Sequence, residues 1–367
     1  MPNHHDYLRR ARFPSIDGLR CLAVVPVVWH HATPWPPTGL LGRGPLGVDL
    51  FFAISGYLIT TLLLRERRAD GVAVGRFYAR RALRIFPAYY LVLGLTTIRA
   101  LTWMPAGPVR DHFLRSLPYW ATYTGNWFVD FDVGHPVVFA FAWSLATEEQ
   151  FYAVWPWLAR APRWVMPVTA LALLAAIQGT RLGWIGADGP ALARRVIASL
   201  AAPICAGALV AWALDTRRGF ALLRPILGMR ASSPAALLLL AMLVVNGRAP
   251  PIAIAFSMSL LVATCAARRD HGLRACLEAR PLLFVGTISY ELYLVHVAAI
   301  SAVKRVAPAH AGDAPLVFAC GLALALPMAY LLHRAVGVPL EPLRARLRRP
   351  QPGGGAQARE AASASPR

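Results

Sequence analysis

The chain has 367 residues, 57% of them hydrophobic and 15% charged, whereas a soluble domain usually carries about 25% charged and about 45–50% apolar residues. That balance excludes an ordinary soluble domain. The net charge of +20 arises from 38 Lys and Arg against 18 Asp and Glu, yet the basic residues sit between apolar blocks, an arrangement that suits membrane topology and argues against nucleic acid as a partner.

A helix needs roughly 20 residues to cross about 30 Å of hydrocarbon. Apolar segments of about that kind lie at 16–34, 47–64, 86–103, 143–159, 164–180, 196–214, 234–246, 250–267, 282–302 and 315–333. The expected fold is all-α, a polytopic transmembrane helix bundle of about ten spans. With the N-terminus in the cytoplasm, the segments on that side hold 27 basic residues and the external ones 9, the bias that the positive-inside rule requires. An even number of spans then leaves both termini cytoplasmic. The first span is expected to be retained, since no small-residue cleavage site follows it. The long, aromatic external segment 104–142 is expected to lie against or re-enter the membrane. One membrane domain covers 1–339, and 340–367, dominated by Gly, Ala, Ser, Pro and Arg, reads as a disordered basic cytoplasmic tail in contact with anionic lipid. Cys21, Cys205, Cys265, Cys276 and Cys320 show no CxxC or other metal spacing, so they read as inert core thiols and no metal site is expected.

Polar groups inside spans are costly and mark function. In span one, Arg20 and His31 are eleven residues apart, which places them on one helix face but about 16 Å apart along the axis. They mark two depths of one cavity, with Pro26 kinking the helix between them; a snorkelling arginine and an interfacial histidine is the plainer reading. In span two, GVDLFFAISGYLI, Asp49 lies at the external rim and Ser55 deeper, and Asp49 suits the helix macrodipole as well as catalysis. RFYARRALRIFP, at the entrance of span three, holds Arg80, Arg81 and Arg84. Arg81 and Arg84 share a face and could clamp phosphates, although routine positive-inside charge explains the run equally well. Span four, WSLATEEQFYAVWPW, places Glu148 and Glu149 roughly 8–9 Å below its external end and about 100° apart around the helix. Only one of them should face the cavity, and a helix beginning two turns later would return both to solvent. Span nine, FVGTISYELYLVHVA, puts Tyr290 and Glu291 near mid-depth and His296 in the external half, where a lone histidine is more often a structural hydrogen-bonder than a catalyst.

These depths converge. His31, Asp49, the two glutamates and His296 fall in the external half, and Arg20, Arg81 and Arg84 at the cytoplasmic side. The layout suits a phosphate-rich donor from inside, an acceptor from outside, and a histidine activating a hydroxyl between them. In chain order, IDGLR with a histidine eleven residues after the arginine, GVDLFFAISGYLI, FYARRALRIFP, WSLATEEQFY and ISYELYLVH together resemble the acyltransferase-3 family of integral membrane O-acyltransferases, over about residues 14–335. The resemblance implies acyl-CoA, most commonly acetyl-CoA, as donor substrate with no permanently bound cofactor. It implies a hydroxyl-bearing glycan or glycosylated natural product as acceptor, and a bacterial cytoplasmic membrane. It makes Arg20 and His31 the essential pair, Arg81 and Arg84 (beside Arg80) the donor-handling element, and Glu149, with Glu148 next to it, the conserved acid. The mechanism expected from these residues has Glu149 orienting His31, which acts as general base or acyl relay. Asp49, Ser55, Glu148, Tyr290 and His296 are the candidate pore-lining residues. Thr147, Glu291 and Val295 depart from the family pattern. Some members carry a fused extracytoplasmic hydrolase-like domain; none is visible here, so the chain is expected to act unaided. A proton-coupled secondary transporter or lipid flippase using the buried His/Glu pair is the reading from another class, and the inverted repeats such carriers often show are not apparent.

Overall fold

The computed structural model describes residues 3–10, 12–33, 40–184 and 191–347. Among the described residues the fold is helical, without strands. The principal helices are α1 (Pro14–Ala32), α2 (Leu46–Ala69), α3 (Val74–Thr102), α4 (Pro108–Ala121), α5 (Trp143–Arg160), α6 (Val165–Arg181) and α7 (Ala191–Ala198). They continue as α8 (Ala202–Asp215), α9 (Arg217–Leu227), α10 (Ser232–Val245), α11 (Pro251–Ala267), α12 (Arg280–Thr287), α13 (Ser289–Val306) and α14 (Ala314–Leu332).

Each of the ten apolar segments falls on a helix or a helix pair, but they are not ten uninterrupted spans. By length and composition three helices could cross a membrane, α2, α3 and the run Ala314–Gly337, or six if bent pairs count as one span each. The bent pairs are α7–α8 at 55°, α9–α10 at 79° and α12–α13 at 77°. The sixth and ninth segments therefore contain breaks that apolarity alone did not reveal. Just before the second break Gly286 crosses α1 so closely that a Cβ there would sit 1.8 Å from the Asp17 carbonyl oxygen. α9 also replaces what composition suggested was a basic loop. Its N-cap Thr216 accepts from Gly219 N at 3.0 Å, satisfying an otherwise orphaned donor. The shorter apolar helices α6 and α11 have 17 residues each. α1 and α5 carry the polar groups that set them apart.

Cross-helix contacts fix the relative senses of the helices. Ser55–Glu148, Thr60–Trp155 and Arg67–Ala159 make α2 and α5 parallel, while Arg81 over Tyr152 and Tyr78 to Ala153 make α3 antiparallel to α5. α13 runs antiparallel to α14 through the contacts Ile300–Gly321 and Glu291–His333.

The most extensive packing is α2 against α8. A Cβ on Gly56 would lie 2.0 Å from the Ile204 carbonyl oxygen, and one on Gly207 2.3 Å from that of Ala53. Two backbones thus meet with no side chain between them, the close approach that small residues permit between membrane helices. Gly56→Val is expected to force α2 and α8 apart and cost about 1–3 kcal/mol, the usual penalty for overpacking. A thermal midpoint in detergent equal to the parent's would refute that reading.

The segment 104–142 folds back as α4, tied to α3 by Tyr89 Oη donating to the Trp120 carbonyl at 2.7 Å and Tyr90 Oη to that of Ala121 at 2.8 Å. After α11, Asp270 accepts from Arg268 at 2.6 and 2.8 Å and from Arg230 at 3.0 Å, and these guanidiniums hold its carboxyl well below the usual carboxylate range. Helical structure continues through Glu341–Arg346, past the boundary expected at 339; residues 348–367 of the expected tail lie outside the described residues. Cys21, Cys205 and Cys265 are buried as expected, but Cys276 and Cys320 are exposed. The correction follows from position: Cys276 lies in the charged stretch between two apolar segments, and for Cys320 apolar neighbours in sequence do not decide which face of a helix turns inward.

Candidate active site

Two ladders of polar side chains face each other across the bundle. On α5, Ser144, Glu148 and Tyr152 recur every fourth residue, so they line one face with about 6 Å of rise between rungs. On α13, Tyr290, Tyr293 and His296 recur every third residue along a comparable length.

At one end stand two imidazoles. His296 is fully buried, and its Nδ1 lies 2.6 Å from the Tyr293 carbonyl oxygen. A carbonyl only accepts, so Nδ1 carries the proton and Nε2 of neutral His296 is left as an acceptor. That Nε2 lies 3.2 Å from His31 Nδ1, which also lies 3.0 Å from the Val27 carbonyl oxygen. Both neighbours accept, so His31 Nδ1 is the protonated nitrogen. The lone pair of His31 is therefore on Nε2. This tautomer is assigned from the hydrogen-bond pattern. Lys304 Nζ donates to the His31 carbonyl at 3.3 Å and holds the end of α1 against α13.

One turn further along, Glu148 Oε1 accepts from Tyr152 Oη at 2.7 Å and from Ser55 Oγ. Ser144 Oγ is hydrogen-bonded to Tyr293 Oη at 2.6 Å, joining the two ladders. Glu149 faces elsewhere. Its Oε1 is buried without a hydrogen-bond partner among the described residues, and its carboxyl lies within electrostatic reach of Arg81, Tyr90, Tyr123 and Tyr290. Among the described residues no hydrogen bond or ion pair joins Glu149 to His31; His296 occupies that place. An unsatisfied buried carboxylate oxygen is uncommon.

The opposite end is cationic. Arg81 places its guanidinium 4.3 Å from the Tyr152 ring centroid, a cation–π contact. Arg84 is surrounded by Arg20 of α1, Arg81, Tyr152 of α5 and Glu291 of α13, all within electrostatic reach, yet it remains exposed. It stands where polar groups of α1, α5 and α13 approach α3. Arg20 pairs with Asp17 at 2.7 Å and keeps 20% of its side chain accessible. Arg80 is committed elsewhere, to Glu66 and the Leu347 carbonyl. Tyr290 Oη donates to the Ile85 carbonyl at 2.8 Å, fixing α13 beside Arg84. Asp49 is half-buried in the first turn of α2, within reach of Arg181, and no contact joins it to the imidazoles. Among the described residues no three His, Cys, Asp or Glu side chains come together as a metal set.

Several participants escaped the sequence reading. Asp17 stands inside IDGLR three residues before Arg20, a spacing that could have shown the pair. Tyr152 was signalled only by its four-residue spacing from Glu148. Tyr293 and His333, which meets Glu291 at 2.9 Å, gave no signal, because their partners are distant in sequence.

The peptidoglycan O-acetyltransferase OatA of Listeria monocytogenes is 34% identical over 197 residues, 49% of this chain and 30% of that protein. The putative peptidoglycan O-acetyltransferase YrhL of Bacillus subtilis is 35% identical over 164 residues, 42% of this chain and 24% of that protein. A putative O-acetyltransferase of Staphylococcus aureus is 36% identical over 158 residues, 41% of this chain and 25% of that protein. The match thus spans less than a third of the length of these curated relatives. No solved structure matches. The acyltransferase-3 family, described as an acyltransferase domain, matches residues 13–334, and the chain belongs to that family of membrane-embedded acyltransferases.

Proposed function

We propose that the chain is a bacterial membrane O-acetyltransferase that moves an acetyl group from acetyl-CoA, entering at the arginine-lined end, to a hydroxyl of a glycan reaching the imidazole end. The observation that carries the reading is the tautomer of His31, whose Nε2 lone pair stands at the end of a polar lining that begins at Arg81 and Arg84. The donor's phosphates would lie against those guanidiniums, and its thin pantetheine arm would run along the ladders to the histidine. The separation of Arg20 and His31 along α1, about 16 Å, suits a donor with its charge at one end and its thioester at the other. The printed names of the relatives, which concern peptidoglycan, motivate the glycan acceptor.

In this scheme His31 Nε2 takes the proton of the acceptor hydroxyl as its oxygen attacks the thioester carbonyl carbon. The tetrahedral oxyanion collapses, the C–S bond breaks, and the sulfur leaves with the proton returned by His31, giving an O-acetyl ester and free CoA thiol. His296 keeps His31 Nδ1 protonated throughout and shares the positive charge that appears on the ring. Glu148, held by Tyr152 and Ser55, would keep the α5 side of the lining in place, and Glu149, which faces away from the ladder, takes no part in the proton path. Purified chain in detergent should release thiol from acetyl-CoA faster when an oligosaccharide acceptor is added. Acetylated sugar formed with no thiol appearing, or formed only from a donor other than acyl-CoA, would sink the donor assignment.

A further inference from the structure

Outside the two ladders, a cavity of 370 Å³ opens beside the N-terminal end of α5, lined by Asn126, Phe131, Trp143, Arg195, Ala198 and Ser199. Its volume falls within the range of small-molecule sites, roughly 300–1,000 Å³. Its walls are of two kinds. Trp143 and Phe131 are exposed apolar rings, at 36% and 43%, standing beside a prepared polar wall. Asn126 donates to Thr147 Oγ1 at 3.2 Å and to Gln150 Oε1 at 3.0 Å, and accepts from Gln150 Nε2 at 2.9 Å. Its amide is therefore locked, with one lone pair of Oδ1 remaining. Ser199 is likewise held, by Trp127 Nε1 at 2.9 Å and by its own bond to the Val196 carbonyl at 2.7 Å. Arg195 is exposed and makes no ion pair among the described residues; its guanidinium donates to the Trp127 carbonyl at 3.3 Å.

We propose that this cleft is the acceptor subsite and that it selects a saccharide carrying a carboxylate. The inference rests on the reading of the chain as an acyltransferase acting on a hydroxyl. The C–H face of a pyranose is apolar and positively polarised, and it stacks on the electron-rich face of an aromatic ring. The remaining lone pair of Asn126 accepts from a ring hydroxyl. Arg195 supplies the fork of donors that matches a carboxylate. The cleft is also placed to serve the reaction. Trp143 packs on Phe52 at 6.1 Å, and the next residue, Ser144, bonds Tyr293, whose ring lies 5.4 Å from that of His296. Trp143 and Ser144 are consecutive on α5 and point about 100° apart, so a sugar seated on Trp143 lies at the same level of the helix as the rung that carries Tyr293, on a neighbouring face.

The test is calorimetric binding of a galacturonic acid trimer and of its carboxyl-reduced counterpart to the full chain in detergent, with each variant first checked for a monodisperse folded peak. The parent should bind the acid form several-fold more tightly. Trp143→Ala should weaken both probes by about tenfold, and Trp143→Phe should restore most of the loss. Arg195→Ala should remove only the preference for the acid form. His31→Ala should bind as the parent does while losing transfer. Unchanged affinities in Trp143→Ala make the ring an interfacial anchor and overturn the proposal, as does equal binding of the two probes by the parent or no binding of either. Transfer surviving in His31→Ala alongside intact cleft effects would overturn the catalytic scheme and leave the subsite standing.

Discussion

Replacing His31 with alanine is expected to slow acetyl transfer by about 10²–10⁴-fold, the range a general base contributes. The protein should fold normally, because the His31 side chain is only half-buried and its two bonds stabilise it more than they stabilise the bundle. His296→Phe gives the companion result. It removes the acceptor at 3.2 Å from His31 Nδ1 but leaves the Val27 carbonyl at 3.0 Å to hold the same proton. The expected loss is therefore smaller, about tenfold, in the range of one lost hydrogen bond to a group that becomes charged. Single-turnover measurement of transfer from radiolabelled acetyl-CoA separates the two. A His31→Ala protein with parental turnover, or a His296→Phe protein more damaged than His31→Ala, is incompatible with the proton path.

The second large effect is expected at the other end of the site. Arg84→Ala should raise the KM for acetyl-CoA by about 10- to 100-fold, as when a charge-assisted bond to phosphate is lost, with acceptor KM near the parental value. Arg81→Lys should behave much like Arg81→Ala, because an ammonium loses both the planar stack over Tyr152 and the forked geometry. Arg80→Ala should leave donor KM unchanged, since its charge is committed to Glu66. Initial rates against each substrate in turn make the comparison. A rise in acceptor KM equal to that for donor would mean that these arginines support the fold and not the donor.

Much of this site was legible along the chain. Arg20 and His31 lie on one helix, and Arg81 and Arg84 both lie near Tyr152. Helical periodicity reports which residues share a face; it says nothing about which faces meet. Hence the partnership of His31 with His296, 265 positions away, is not legible along the chain, and the expectation that Glu149 orients His31 rests on family resemblance and estimated depth. The breaks between α7 and α8 and between α12 and α13 were hidden for a related reason. Pro203 opens α8 after the first of them, and the close crossing of Gly286 on Asp17 before the second involves the absence of a side chain and leaves hydropathy almost unaltered. The exposed thiols Cys276 and Cys320 make the same point from outside the bundle.

The rungs that join the helices also restrict how the passage between them opens. Sliding α13 by one turn, about 5.4 Å, would separate Tyr293 from Ser144, Tyr290 from Ile85 and His296 from His31 together. A piston-like stroke would have to break every one of these links before forming any replacement. Tilting about the bend between α12 and α13 keeps the register intact and widens only one mouth at a time. Admission of the two substrates from opposite ends is thereby compatible with a barrier to ions that never fully lifts.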